Sequence, residues 1–224
     1  MARRTFGGSR LILPRILAVA DQVSPVIDSV NFPSNLPGFD LALSAGDMPG
    51  RVLEYMADRL GFAPVFVKGN HPGEQVRDPL DPTSRRLKDP GGCINAHGRV
   101  VHQSGLIIVG FEGSARYRPG PQQYSERQFA AMARRLAPVL HLNRLRYGRA
   151  LDILLTHAPP TGPHAGTDHA HRGVPAFERF SRIWRPRLHL HGHVHLVGSN
   201  APREYVTAEG VRVVNGFEFA LIDL

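Results

Sequence analysis

Leu188-His189-Leu190-His191-Gly192-His193-Val194-His195 sets four histidines at alternate positions, with a glycine just ahead of the last pair. Neutral imidazole is the commonest metal ligand among side chains. A short apolar strand that ends in Gly-His-x-His can aim two ring nitrogens at one point. Four segments upstream end in a similar way.

Ile16-Leu17-Ala18-Val19-Ala20 leads to Asp21, and Leu41-Ala42-Leu43-Ser44 leads through Ala45-Gly46 to Asp47. Val65-Phe66-Val67 leads through Lys68-Gly69 to Asn70 and His71, and Leu151-Asp152-Ile153-Leu154-Leu155 leads through Thr156 to His157. Short, mostly apolar runs of this length read as buried strands in sheets covered by helices. In open α/β sheets, sites gather beyond the carboxyl ends of the strands. Five such endings, each with a group able to bind a metal, converge on one site.

Asp21, Asp47, Asn70, His157, His193 and His195 form a mixed oxygen and nitrogen donor set with no thiolate. That suits Mn, Fe, Zn or Co rather than an iron–sulfur centre or a cysteine-ligated structural zinc. Six protein ligands are too many for one catalytic ion that must keep open positions. They suffice for two ions that share a carboxylate, about 3.5–4 Å apart.

Asp21-Gln22-Val23, Gly46-Asp47, Gly69-Asn70-His71, Thr156-His157 and Gly192-His193-Val194-His195 together resemble, in order, the blocks of the calcineurin-like metallophosphoesterases. The resemblance spans Asp21 to His195. It implies a four-layer α/β/β/α sandwich of two mixed sheets flanked by helices, where pattern alone gives only α/β. It also implies two divalent transition-metal ions, with Asp21 and His195 on the first, Asp47 bridging, and Asn70, His157 and His193 on the second. His71 would stand beside the substrate as proton donor. The implied activity is hydrolysis of a phosphomonoester or phosphodiester by metal-activated water, on a phosphorylated small molecule or nucleotide. Two residues depart from the pattern. Val23 replaces the first block's second ligand, usually histidine, so the first site is expected to hold its ion more weakly. Pro72 follows His71 where an acidic residue usually orients the imidazole.

The departures keep a second class of function in view, a non-catalytic protein that binds phosphate or nucleotide through a degenerate metal site. A nuclease is a third reading, because the formal net charge is +8 and clustered cations supply phosphate affinity. The basic residues are almost all arginine and are scattered, with no zinc-finger spacing and no aromatic-rich RNA motif. Arg116, in Gly113-Ser114-Ala115-Arg116-Tyr117-Arg118-Pro119-Gly120, is a candidate phosphate contact, since its fork suits phosphate oxygens. His189 and His191 read as buried, hydrogen-bonded groups rather than further ligands. His164, His169 and His171 lie in a glycine- and proline-rich loop.

At 224 residues the chain is expected to form one domain, 1–224, with a basic tail over 1–14 and a polar, proline-rich loop over 71–92. A single cysteine, Cys93, cannot form an internal disulfide and suits a reducing, cytoplasmic setting. No apolar run approaches the roughly 20 residues of a membrane span, so no insertion is expected. Arg3-Arg4-Thr5-Phe6 resembles an export signal, but Pro14 and Arg15 interrupt its apolar region.

Pro49 near a first turn and Gly61 at the end predict a helix up to Leu60, with Leu53, Met56 and Leu60 on one face. Ser125-Glu126-Arg127-Gln128 predicts a capping box that opens a helix bearing Phe129, Met132 and Leu136, kinked or restarted at Pro138 and ended by Gly148. Phe177, Phe180 and Trp184 form another helical stripe. Hairpins are expected around 103–105 and 209–210, with a last strand over 219–224.

Overall fold

The computed structural model describes residues 14–71, 89–196 and 202–224. Most of the tail and most of the 71–92 loop, including Pro72, lie outside the described residues.

The first sheet begins with β1 (Arg15–Ala20) and β2 (Leu41–Ser44), followed by α1 (Gly50–Arg59), β3 (Val65–Phe66) and β4 (Ile94–Asn95). β1, β2, β3 and β4 run parallel, with Ile16 beside Leu41 and Leu43 beside Val65. The last strand of the chain, β13 (Glu218–Asp223), returns antiparallel to β1 and sets Ile222 beside Ile16, giving the order β13-β1-β2-β3-β4.

The second sheet is built from the hairpin β5 (Val100–Gln103) and β6 (Leu106–Phe111), then β9 (Ile153–Thr156), β10 (Leu188–His191), β11 (Glu204–Val206) and β12 (Arg212–Asn215), in the order β11-β12-β10-β9-β6-β5. Between its halves come the short pair β7 (Ser114–Ala115) and β8 (Gln123–Tyr124), the long helix α2 (Glu126–Tyr147) and α3 (Pro175–Trp184). The β5–β6 turn is Ser104-Gly105, both at positive φ, as a tight two-residue hairpin requires.

Side-chain alternation sorts these elements into layers. Ile16, Ala18 and Ala20 of β1 face Ile153, Leu155, Leu188 and Leu190 of the second sheet in one buried cluster between the sheets. Leu17 and Val19 face the other way, onto Val52, Leu53 and Met56 of α1. On the outer side of the second sheet, Ile107, Val109 and Leu154 pack on Phe129, Leu136 and Leu140 of α2 and on Phe177, Phe180 and Trp184 of α3. Two large mixed sheets therefore stack face to face with helices outside both. The predicted α/β sandwich is the observed one.

The local signals read from sequence fix most element ends. Ser125 and Gln128 form the full capping box at the start of α2, and Gly148 closes it in the left-handed conformation at φ 72°. α2 continues through Pro138 rather than restarting there. Pro138 lies on the exposed side, where water can satisfy the carbonyl one turn earlier that a proline leaves without a donor. Asp152, the one charged residue in an apolar strand run, is buried but satisfied: its carboxylate accepts the Ile107 N–H at 2.9 Å and pairs with Arg149 at 2.7 Å.

The Leu-His alternation of β10 sends its leucines between the sheets and its histidines outward, where both are fully buried. His189 Nε2–H donates to Thr156 Oγ1 at 2.9 Å, since the threonine hydroxyl itself donates to Ala158 O at 2.7 Å; Ser181 Oγ then donates to His189 Nδ1 at 3.2 Å. Burial pushes the His189 imidazole down to about 3. The folded pKa lies below that of an unfolded histidine, about 6.5, so the unfolded chain takes up a proton that the native ring refuses. The resulting stability is present above pH 6.5 and is lost as pH falls from there toward 3. His189→Gln is expected to flatten the acid arm of the stability curve by up to about 1.4 kcal/mol per pH unit, measured by urea unfolding between pH 6.5 and 4.

Among the described residues, no helix is long and apolar enough to cross a membrane.

Candidate metal centre

Asp21, Asp47, Asn70, His157 and His193 all follow the carboxyl ends of strands, β1, β2, β3, β9 and β10 in turn. Because these strands run parallel within each sheet and the sheets stack, their ends open on one edge of the sandwich. The chain turns sharply there. Asp21, Asp47 and His193 adopt φ of 66°, 53° and 68°, a region that residues other than glycine seldom occupy. Such strain persists only where the surroundings over-determine it, and it concentrates at functional sites.

The turns bring one donor atom each from Asp21, Asp47 and His157 to within 4.8 Å of one another. His157 is wholly buried and held from behind, with Nδ1–H donating to Ala45 O at 2.8 Å. That bond holds the ring in place and aims Nε2 at Asn70 Oδ1, 2.8 Å away, and at Asp47 Oδ2, 3.3 Å away. Asn70 is buried, and its amide NH₂ donates to the Tyr117 hydroxyl at 3.2 Å. The Asp21 carboxylate accepts the His193 backbone N–H at 2.9 Å from both oxygens.

The site draws positive charge. Burial raises Asp21 to about 6, and the charge of Asp47 adds to the shift, though His157 opposes it. Burial would also raise Asp47, but the His157 charge and hydrogen bonds from His157 and His71 outweigh it and hold that carboxyl low. Burial lowers His157, yet the charge and hydrogen bond of Asp47 dominate and lift it to about 9. Burial keeps His193 down at about 3, a neutral imidazole with a lone pair to give.

The glycines of the motifs are required by space. A Cβ on Gly46 would stand 2.5 Å from His157 Nδ1, and one on Gly192 would stand 2.7 Å from Asp21 Oδ2. One on Gly69 would overlap the Asp47 carboxylate. Two half-buried carboxylates, a buried amide oxygen and a buried imidazole held from behind suit a hard-to-borderline divalent cation.

The other residues singled out from sequence fall in different places. His71 is exposed and bound to Asp47, its backbone N–H donating to Oδ1 at 3.0 Å and its ring Nδ1 to Oδ2 at 2.9 Å. His193 lies between His157 and His171 with its ring tilted to both, centroids at 4.8 and 4.9 Å, and its Nε2–H donates to Ala170 O at 2.9 Å. His195 does not join the group: the turn at His193 carries it to the exposed rim, where its ring packs on Phe217 at 5.0 Å. Val23 packs onto the apolar layer beneath α1. Arg116 is turned toward α2, where its guanidinium donates to Gln128 Oε1 at 3.0 Å and to Gln123 O at 3.4 Å.

No known family profile matches the sequence, and no curated protein does. Solved structures do match. One chain superposes with a TM-score of 0.62 at 13% identity, covering 94% of this chain and 95% of its own. TT1561 of Thermus thermophilus superposes with a TM-score of 0.58 at 15% identity, covering 94% of each. What these likenesses show is the fold, two mixed sheets stacked face to face with helices outside both. Within this fold, the candidate ligands stand at the edge where the parallel strands of both sheets end. A 5'-nucleotidase precursor from Thermus thermophilus superposes more loosely, with a TM-score of 0.47 at 15% identity, over 92% of this chain and 49% of its own.

One group at the site escaped the sequence reading, and another was read there only as part of a loop. Tyr117 reaches Asn70 from the loop in which attention fell on Arg116. Asp168 accepts the His171 ring N–H at 2.9 Å and so fixes a histidine beside His193. The sequence places Asp168 and His171 in one glycine- and proline-rich loop, but nothing local tells which way that loop faces.

Proposed function

We propose that residues 1–224 form a single-domain, cytoplasmic, metal-dependent phosphoesterase, a divergent member of the calcineurin-like family. The observation that carries this reading is the convergence of Asp21, Asp47 and His157 donors within 4.8 Å at the strand ends where the family's blocks lie. A divalent transition-metal ion held by these residues, with Asn70 and His193 adjoining, would supply Lewis acidity and neutralise charge on a phosphoryl group.

The chain's own groups define the rest of the chemistry. Asp47 sits at the centre, in reach of His157 on its buried side and of His71 on its open side. His71 Nδ1–H is held by Asp47, the orientation that an acidic residue after His71 would otherwise give. An exposed imidazole fixed in this way is placed to hydrogen-bond or protonate the leaving oxygen of a substrate entering from solvent. Ala45 O locks the His157 ring, and the Tyr117 hydroxyl locks the Asn70 amide, so both ligands are set before an ion arrives. The substrate class is a phosphorylated small molecule or nucleotide.

A second reading, binding of phosphate without turnover, draws on Val23 in the apolar layer and His195 on Phe217. Both remove ligands from the side of Asp21. The deciding test uses metal-stripped protein titrated with Mn²⁺ against p-nitrophenyl phosphate and bis-p-nitrophenyl phosphate. Mn²⁺-dependent release of p-nitrophenol is expected, and the preferred ester separates phosphatase from phosphodiesterase. Saturable Mn²⁺ and phosphate binding without release would replace the enzyme by the binding reading. Absence of Mn²⁺ binding would overturn both.

A further inference from the structure

The outer face of α2 and α3 carries seven arginines against two glutamates and no lysine. All seven are exposed, and among them Arg179 is paired with Glu126. Among the described residues, four of the six exposed large apolar side chains lie on these same two helices. Leu145 is 86% exposed, Ile183 59% and Leu142 58%. Between the helices runs a shallow groove of about 210 Å³, floored by Ala133, Ala137 and Phe180 and rimmed by Arg134, Arg179 and Ile183. Scattered single apolar residues are ordinary on a surface, but clustered ones rimmed by charge mark an interaction site.

We propose that this face is a peripheral docking surface for an anionic lipid bilayer. The arginine forks would take lipid phosphates in pairs of hydrogen bonds. Leu142, Leu145 and Ile183 would enter the headgroup boundary, as the apolar face of an interfacial helix does. A second copy of the chain fits poorly, because it would set like charges against each other. Nucleic acid would use the arginines but leave Leu145 in water. The placement also leaves the metal centre free. α2 leads into the start of β9 and α3 into the start of β10, whereas the candidate ligands follow the far ends of those strands. A docked molecule therefore keeps its ion site turned away from the bilayer.

The test is co-sedimentation of the full chain with vesicles of phosphatidylcholine alone, or of equal parts phosphatidylcholine and phosphatidylglycerol. Binding to the mixed vesicles alone is expected, weakening as salt is raised. Leu142→Gln with Leu145→Gln, and separately Arg134→Glu with Arg135→Glu, should each lower it on the order of tenfold. These positions are exposed, so an unchanged thermal melt confirms that the variants fold. Binding to neutral vesicles as strong as to the mixed ones, or to neither, overturns the proposal. So does competition by duplex DNA combined with full binding of the leucine variant, which would make the face a nucleic-acid surface.

Discussion

Asp47→Asn is expected to lower Mn²⁺-dependent phosphoester hydrolysis by at least about a hundredfold and to weaken Mn²⁺ binding in parallel, both read in one calorimetric and kinetic titration. The magnitude follows from the residue's position. The Asp47 carboxylate touches both the buried ligand His157 and the exposed His71, and it accepts from His71 twice. Asparagine keeps the side-chain volume and one oxygen acceptor, so the His71 backbone bond can persist. What is lost is the negative charge beside Asp21 and the second acceptor for the His71 ring. A loss confined to kcat, with Mn²⁺ affinity kept, would assign Asp47 to orienting His71 and not to holding an ion. Full retention of both would move the ion site elsewhere. His195→Ala is the matching control, because its ring lies on Phe217 at the rim; a comparable loss there would show that His195 swings inward when an ion binds.

The parts of this fold that sequence displays are those governed by local chemistry. The capping box at Ser125 and Gln128, the left-handed stop at Gly148 and the Ser104-Gly105 turn each satisfy their own backbone within a few residues. The five strand endings were legible for a related reason. Each is a run of apolar residues ended by a ligand, with a glycine directly before it in three of the five.

What sequence conceals is the choice of partner at a distance. β13 completes the first sheet against β1, although some 200 residues separate Arg15 from its partner Asp223. Nothing in Glu218–Asp223 distinguishes that edge from the other. Arg116 shows the same limit at a side chain. Its fork suits a phosphate, but no sequence signal tells that in the fold it also binds Gln128 of the α2 cap. Gly-His-x-His reads in sequence as two ring nitrogens aimed at one point, but no local signal shows that β10 ends at His191 and that a positive φ at His193 sends His195 to the rim.

Gly69→Ala carries the other large expected effect, and it separates packing from ligation. Gly69 is not in the left-handed region, so alanine is acceptable to its backbone. The obstacle is space alone: a Cβ there would overlap the Asp47 carboxylate and stand 2.6 Å from the Asp47 backbone nitrogen. One of the two turns must yield. Overpacking of this kind costs about 1–3 kcal/mol, and here the cost falls on the loop that carries Asn70 and His71. Ion-free Gly69→Ala should therefore unfold at lower urea by that amount, while Mn²⁺ affinity drops by at least about tenfold, since misplaced ligand supports typically cost 10–100-fold. Gly38→Ala, where a Cβ would meet nothing within 4 Å, should leave both unchanged within about 0.5 kcal/mol. If Gly69→Ala lost stability yet kept its Mn²⁺ affinity, the ion would not depend on where Asp47 and Asn70 stand. The convergence seen at the strand ends would then be a packing arrangement with no part in holding metal.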